Sequence, residues 1–278
     1  MLSYRHSFHA GNFADIIKHI VLVEILEHLV KKDKPFDYID THSGAGLFDL
    51  RSEHATKLAE HAKGINKLKP DEWPELSSYF EAINVHNHLH KHDYYPGSPL
   101  IAQHFLRAKD NAWLYELHPS DVILLKENTC GNRRMRVMCQ DGLKGLLSLL
   151  PPISRRALVL IDPSYEIKTD YELVAKTLLT AHKKFATGIY ALWYPVVDRQ
   201  RIVQLENTLI NSGIKNIQRF EFGLLPDSHA KGMTSSGMIV INPPWQLFEK
   251  MSHLLPKLVD KLGENDGAFF KCDILVGE

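Results

Sequence analysis

From residue 111 onward, short apolar runs alternate with stretches of helical length, and this alternation constrains the fold more than any other feature. Strand candidates are residues 112–117, 134–138, 157–161, 187–194, 214–222 and 237–242. Helices are predicted over 119–128, 142–150, 170–184 and 197–211, with a last one over 244–261. Strands joined through helices build a mostly parallel sheet covered on both faces. The expected class is therefore α/β, Rossmann-like, with ligands at the carboxyl ends of the strands near the point where strand order reverses.

The first hundred residues fit the same plan with one interruption. Asn12 reads as an N-cap with Asp15 as its capping-box partner, followed by Phe13, Ile16, Ile17 and Ile20 on one helical face. That helix should end near Lys31-Lys32, where cations suit the helix dipole. Residues 36–40 read as a short buried strand running into the glycine-rich turn Thr41-His42-Ser43-Gly44-Ala45-Gly46. Residues 50–95 are polar and rich in His and Lys, with helical stretches near 52–68 and 74–91, and read as a helical insertion. The rest, 1–49 with 96–278, forms the main domain. Ser98 is the expected N-cap of the next helix, with Pro99 at its first position.

Bulk properties exclude several classes. With 278 residues, 44% hydrophobic and 24% charged, the composition is ordinary for a globular α/β chain. No apolar stretch approaches the roughly 20 residues a membrane helix needs, and the N-terminus lacks the apolar core of a secretory signal. Three widely spaced cysteines suggest free thiols in a reducing cytosol. The 33 basic and 33 acidic residues balance, which argues against tight nonspecific binding to nucleic acid but allows weak, selective RNA binding. Local clusters such as Lys31-Lys32, Arg133-Arg134-Arg136, Arg155-Arg156 and Lys183-Lys184 are either RNA contacts or solvated ends. The run His86, His88, His90, His92 lacks an accompanying zinc motif; a polar face explains it better, and no metal is expected.

Four successive strand ends carry groups suited to a nucleoside cofactor. They are the 41–46 turn, Glu116, Asp141-Gly142 and Asp162-Pro163-Ser164-Tyr165. The glycines let backbone approach a ligand closely. Glu116 can accept both ribose hydroxyls, and Asp141 can meet an adenine amine. Taken singly, the turn reads equally as a chain reversal, Glu116 as the lead into a helix and Asp141 as an N-cap. Their order along the chain favours a pocket. A nicotinamide enzyme is the competing use, but the third glycine of G-x-G-x-x-G is replaced by Asp49. An acid beside the turn suits a sulfonium better than a pyrophosphate, so S-adenosylmethionine is the expected cofactor. In the fourth segment, Asp162 and the Pro163 carbonyl can accept the two hydrogens of an aromatic amine while Tyr165 stacks on its ring.

These motifs resemble class I amino methyltransferases that use S-adenosylmethionine. The opening Tyr4-Arg5-His6-Ser7-Phe8-His9-Ala10-Gly11-Asn12 is similar to that of the ribosomal RNA large subunit methyltransferase J family. So are Ala14-Asp15, Lys18-His19, the 94–99 segment Tyr-Tyr-Pro-Gly-Ser-Pro, Glu116-Leu117-His118-Pro119-Ser120, and the stretches 190–195 and 237–245. The resemblance implies N6-methylation of one adenine in 23S ribosomal RNA by a cytoplasmic, monomeric enzyme. It implies cofactor contacts at His19, His42, Ser98, Glu116, Asp141 and Gly142, catalysis at Asp162, and a substrate-base contact at Tyr4. Without it, His19 reads as a solvated or capped helix residue, Tyr4 as a loose terminus and Tyr165 as core packing. The family usually has a second proline where this chain has Ser164; related amino methyltransferases accept serine there, so activity is expected. The rivals are a DNA adenine-N6 methyltransferase and a nonenzymatic RNA-binding protein on the same fold. The insertion and the 227–233 loop are candidate RNA contacts.

Overall fold

A computed structural model of the chain describes residues 5–87, 93–227, 232–264 and 266–278. Its main sheet has eight strands. In chain order these are β1 (Asp37–Asp40), β4 (Asn111–Tyr115), β5 (Met135–Met138), β6 (Ala157–Ile161), β7 (Ile189–Val196), β8 (Ile217–Gly223), β9 (Ser235–Ile241) and β10 (Phe269–Val276). Their spatial order is β10-β8-β9-β7-β6-β1-β4-β5. The five strands from β5 to β7 pair in parallel, while β9 is antiparallel to both β7 and β8, and β10 is antiparallel to β8. This is the mostly parallel, Rossmann-like sheet that the sequence predicts. The order reverses at β1, flanked by β4 on one side and β6 on the other.

The side-chain period of two assigns each residue its face. Leu158 and Leu160 of β6 join one core, whereas Val159 and Ile161 join the other. The first core is roofed by α1 (Phe13–Val30), α4 (Ser77–Asn84), α5 (Ser98–Phe105) and α10 (Leu247–Leu262). The second is covered by α7 (Gly142–Leu149), α8 (Asp170–Lys184) and α9 (Arg199–Ile210). Helix α6 (Pro119–Asn128) lies beside β5 at the sheet edge.

Helix α1 starts where predicted, with Asn12 Oδ1 accepting the backbone N–H groups of Ala14 and Asp15. Asp15 is not a capping-box partner: its Oδ2 takes the Gly11 N–H at 2.9 Å instead, and the carboxylate turns toward charged neighbours. Nor is α1 a one-faced helix. Fifteen of its residues are buried, so both its sheet side and its outer side are covered.

The outer cover is built by described residues within 50–87. They are tied off by a two-stranded ladder of β2 (Leu47–Asp49) and β3 (Tyr94–Pro96). The helices predicted over 52–68 and 74–91 are shorter. Helix α2 (Glu53–Leu58) ends at Ala59, which is left-handed with φ of 50°. Helix α3 (Glu60–Lys63) ends at Gly64, where any Cβ would lie 2.2 Å from the Gly11 carbonyl oxygen. The chain breaks there so that Ile65 can pack against the entry to α1. Ser98 is the first residue of α5 and Gly97 its N-cap, which frees the serine hydroxyl for another partner.

Candidate active site

The turn after β1 is bound to both neighbouring strands. Thr41 donates to the Leu160 carbonyl from its backbone N–H and from its hydroxyl, each at 3.1 Å. Glu116, just past β4, accepts the Gly44 N–H at 2.8 Å and the His118 N–H at 2.6 Å. Burial raises its carboxyl above the usual range, opposed by those backbone donors. Asp141 caps α7 with Oδ1, accepting from Leu143 and Lys144, and its other oxygen lies 3.4 Å from Lys144 Nζ. Gly142 is demanded by packing: a Cβ there would sit 2.0 Å from the Thr41 carbonyl oxygen. The predicted turn, Glu116 and Asp141-Gly142 are thus brought together by direct contact.

His42 and Ser98 border the same turn. The His42 Nδ1 is 2.8 Å from Thr41 Oγ1, and burial pushes its imidazole down to about 4, so it is neutral at pH 7. Ser98 donates to Asp40 Oδ2 at 2.7 Å, beside a second donor, Tyr38 Oη, also at 2.7 Å. Asp40 is wholly buried, and burial raises its carboxyl despite those donors. Sequence reading missed Asp40; an acid closing an apolar strand was the available signal.

Asp162 follows β6 and meets α1. Lys18 Nζ lies 2.7 Å from Asp162 Oδ2 and 2.8 Å from Asp15 Oδ1. Asp15 Oδ2 in turn meets His6 Nε2 at 2.9 Å. Lys18 is nearly inaccessible and its ammonium sits 5.8 Å from the centre of the Trp193 ring. Burial alone would neutralise the lysine, but the two carboxylates outweigh it and raise its pKa. Burial likewise works to raise Asp15, yet His6 and Lys18 hold it well below the carboxylate range. Burial raises Asp162 to about 6, with Lys18 pulling against it. The catalytic acid of the resemblance is therefore ionised at neutral pH, with little exposure and one fixed cation against it. Lys18 and His6 appeared in the sequence only as parts of a resembling segment; their chemistry depends on a contact 144 positions away.

Pro163 is buried beside Asp162. Tyr165 has a left-handed backbone, φ 52°, uncommon for a residue with a Cβ. Its hydroxyl donates to the Trp193 carbonyl at 2.8 Å, and its ring lies 4.3 Å from that of Tyr171. In this arrangement Tyr165 fastens the loop after β6 to β7 and α8. His19 is fully buried on α1, with Nδ1 2.7 Å from Tyr95 Oη and no partner for Nε2 among the described residues. Tyr4, residues 88–92 with three of the clustered histidines, and residues 228–231 lie outside the described residues. Among the described residues no group of three or more His, Cys, Asp or Glu is placed to hold a metal, and no helix is long and apolar enough to cross a membrane.

Comparison with known proteins gives one consistent answer. The family model described as "Ribosomal RNA large subunit methyltransferase D, RlmJ" matches residues 33–273. The chain is 52% identical over 264 residues to "Ribosomal RNA large subunit methyltransferase J" of Escherichia coli (strain K12), covering 94% of each. It is 48% identical over 265 residues to the protein of the same name from Haemophilus influenzae, again covering 94% of each. Among solved structures it resembles protein LPL1258 from Legionella pneumophila, with TM-score 0.88, 35% identity, and coverage of 96% of this chain and 98% of that one.

Proposed function

Because the chain belongs to the ribosomal RNA large subunit methyltransferase J family, we propose that it methylates the exocyclic N6 amine of one adenine in 23S ribosomal RNA, using S-adenosylmethionine. The observation that carries the chemistry is the largely buried, ionised Asp162 held against Lys18 at the end of β6. The ribosomal RNA substrate is supported by the names of the two relatives.

The pocket at the switch point fits the cofactor. Glu116 keeps carboxylate lone pairs for ribose hydroxyls beyond its two backbone bonds. Asp141 has one oxygen outside the helix cap, for the adenine amine. Gly142 keeps that wall flat, His42 and Ser98 line the turn, and His19 has a buried nitrogen awaiting a partner. When bound, S-adenosylmethionine supplies an electrophilic methyl group on a sulfonium.

The chain's own residues then prepare the amine. Its lone pair is delocalised into the ring, so the amine is a poor nucleophile. Asp162 and the Pro163 carbonyl accept its two N–H bonds and favour a tetrahedral nitrogen. Positioning and electrostatics do most of the work. A methylated aryl ammonium is a far stronger acid than a carboxyl near 6, so Asp162 can take the released proton. The target base must be unpaired or extruded, at a cost of roughly a few kcal/mol. Tyr4 is proposed to contact that base, and Tyr165 to border it while anchoring the loop. Residues 50–95 are read as a helical insertion subdomain, supported by the ladder between Asp49 and Tyr94 at its neck, and as part of the RNA-contacting surface with the 227–233 loop. A cytoplasmic monomer is the matching form.

The test is incubation with labelled S-adenosylmethionine and unmodified 23S ribosomal RNA, with genomic DNA in parallel, followed by identification of the labelled nucleoside. N6-methyladenosine in RNA alone is expected. Asp162→Ala should lose transfer while still binding S-adenosylhomocysteine; full activity in that variant would sink the assignment. Label confined to DNA would move the protein to the DNA-modifying rival.

A further inference from the structure

The insertion reaches the cofactor pocket through two hydroxyls. Tyr95 Oη lies 2.7 Å from His19 Nδ1 and 2.9 Å from Tyr79 Oη. Tyr79 and Tyr95 are each about 1% exposed and His19 not at all. Burial drives the His19 imidazole well below its ordinary value, and Lys18 and His6 add to this against Asp15. The ring is therefore neutral, with one N–H and one bare nitrogen.

Two proton arrangements satisfy these distances and also give the Tyr95 proton an acceptor. In one, Tyr79 donates to Tyr95, Tyr95 donates to Nδ1, and the imidazole proton is on Nε2. In the other, Nδ1–H donates to Tyr95 and Tyr95 donates to Tyr79. The Tyr79 proton then has no acceptor among the described residues, and Nε2 is bare. The first leaves one buried group unmet and the second leaves two. A buried polar group without a partner is costly, so the first arrangement prevails.

We propose that Tyr95 is a positioning residue that holds His19 with its proton on Nε2, so that this N–H holds the carboxylate at the amino-acid end of S-adenosylmethionine. The assignment rests on the cofactor reading above. Glu116 and Asp141 serve ribose and adenine on the β4 and β5 side of the turn. His19 stands on α1 within electrostatic reach of Asp15, Lys18 and His6, the charged group that meets Asp162, where the reacting end of the cofactor must lie. That end offers one anionic acceptor, the carboxylate, and one cationic donor, the ammonium. An Nε2–H donor selects the carboxylate; a bare Nε2 would select the ammonium.

The tautomer is read from nitrogen chemical shifts of the full-length protein labelled with 15N-histidine, with His19 assigned by His19→Gln. A bare Nδ1 and protonated Nε2 are expected, with and without S-adenosylhomocysteine. Calorimetry then compares S-adenosylhomocysteine with 5′-methylthioadenosine, which lacks the amino-acid tail. Tyr95→Phe should weaken the former roughly tenfold and leave the latter unchanged. Tyr79→Phe removes a hydroxyl from the same buried pair without touching His19, and should change neither ligand's affinity more than about threefold. A protonated Nδ1 in the unaltered protein, or equal losses for both ligands in Tyr95→Phe, would overturn the assignment. So would a loss in Tyr79→Phe matching that in Tyr95→Phe, since both variants would then act through packing. If the unaltered protein bound no S-adenosylhomocysteine, the cofactor reading would fall and this inference with it; normal binding with the wrong tautomer would remove the inference alone.

Discussion

Replacing Lys18 with methionine tests the electrostatics of the site directly. Asp162 faces Lys18 and, through it, Asp15 and His6. Its carboxyl stands near 6 because burial raises it and Lys18 opposes that rise. Removing the cation takes away the main opposition to burial and leaves Asp15 nearby as a buried anion, so the shift is upward. An opposite charge this close is worth about 1–3 pKa units. If transfer needs the ionised form, about nine-tenths of the unaltered enzyme is competent at pH 7, and about one-tenth after a shift of two units. Single-turnover transfer to 23S ribosomal RNA between pH 5.5 and 9.5 should therefore show an acid limb near 6 in the unaltered enzyme. In Lys18→Met that limb should lie about 1–3 units higher, with the rate at pH 7 down roughly tenfold for a two-unit shift and regained in alkali. Stability moves in the same sense. A carboxyl whose folded pKa lies above its unfolded value binds its proton more tightly when native, so stability falls as pH rises through that window. The variant should melt closest to the unaltered protein at low pH. An acid limb that stays put, or moves down, would refute the claim that Lys18 keeps Asp162 charged.

Three further outcomes follow from the geometry. Gly142→Ala forces a Cβ to 2.0 Å from the Thr41 carbonyl; the turn and α7 must separate, costing about 1–3 kcal/mol or more, read as a lower melting temperature together with weaker S-adenosylhomocysteine binding by calorimetry. Glu116→Ala leaves the Gly44 and His118 N–H groups without their acceptor and should weaken S-adenosylhomocysteine binding roughly tenfold or more; unchanged affinity would remove Glu116 from the pocket. Glu221 is fully buried among Arg199, Lys271 and Tyr194; burial works to raise it, but the bonds from Arg199 hold it below the usual range. Its depressed pKa makes it a stabilising group above its unfolded pKa, with the benefit lost as pH falls through the folded value. Glu221→Gln should cost about 3–5 kcal/mol at pH 7 in urea unfolding, with the gap to the unaltered protein narrowing below about pH 4.

The sheet was legible because its signals are local. The run Ala157–Ile161 is apolar on both faces and ends in an acid, and helices α6 and α8 begin and end on residues whose type marks the boundary. Strand β10 escaped notice because it is an edge strand, half-buried along most of its length, with charged residues interleaved. The strands β2 and β3 have three residues each, too few for any period. Within the site, the groups at the ends of β1, β4, β5 and β6 announced themselves by following apolar runs. The pairing of Lys18 with Asp162, and of His19 with Tyr95, joins residues 144 and 76 positions apart. Periodicity carries no information about such pairs, because what selects them is the way α1 crosses the sheet. Ser98 shows the same limit on a smaller scale: a one-residue displacement of the cap turns a helix-capping hydroxyl into a ligand of Asp40.

The ladder that pairs Asp49 with Tyr94 makes the cover separable from the main sheet but not from α1. Asp49 and Tyr94 are paired neighbours, so a tight hairpin could join them and delete everything between without disturbing the main sheet. Such a deletion would leave α1 bare on the side now covered by Ile65, Trp73, Tyr79 and Phe80. A helix apolar on every side cannot face water. The cost of such a deletion would reach the site through His19, whose ring meets Tyr95 and, through it, Tyr79.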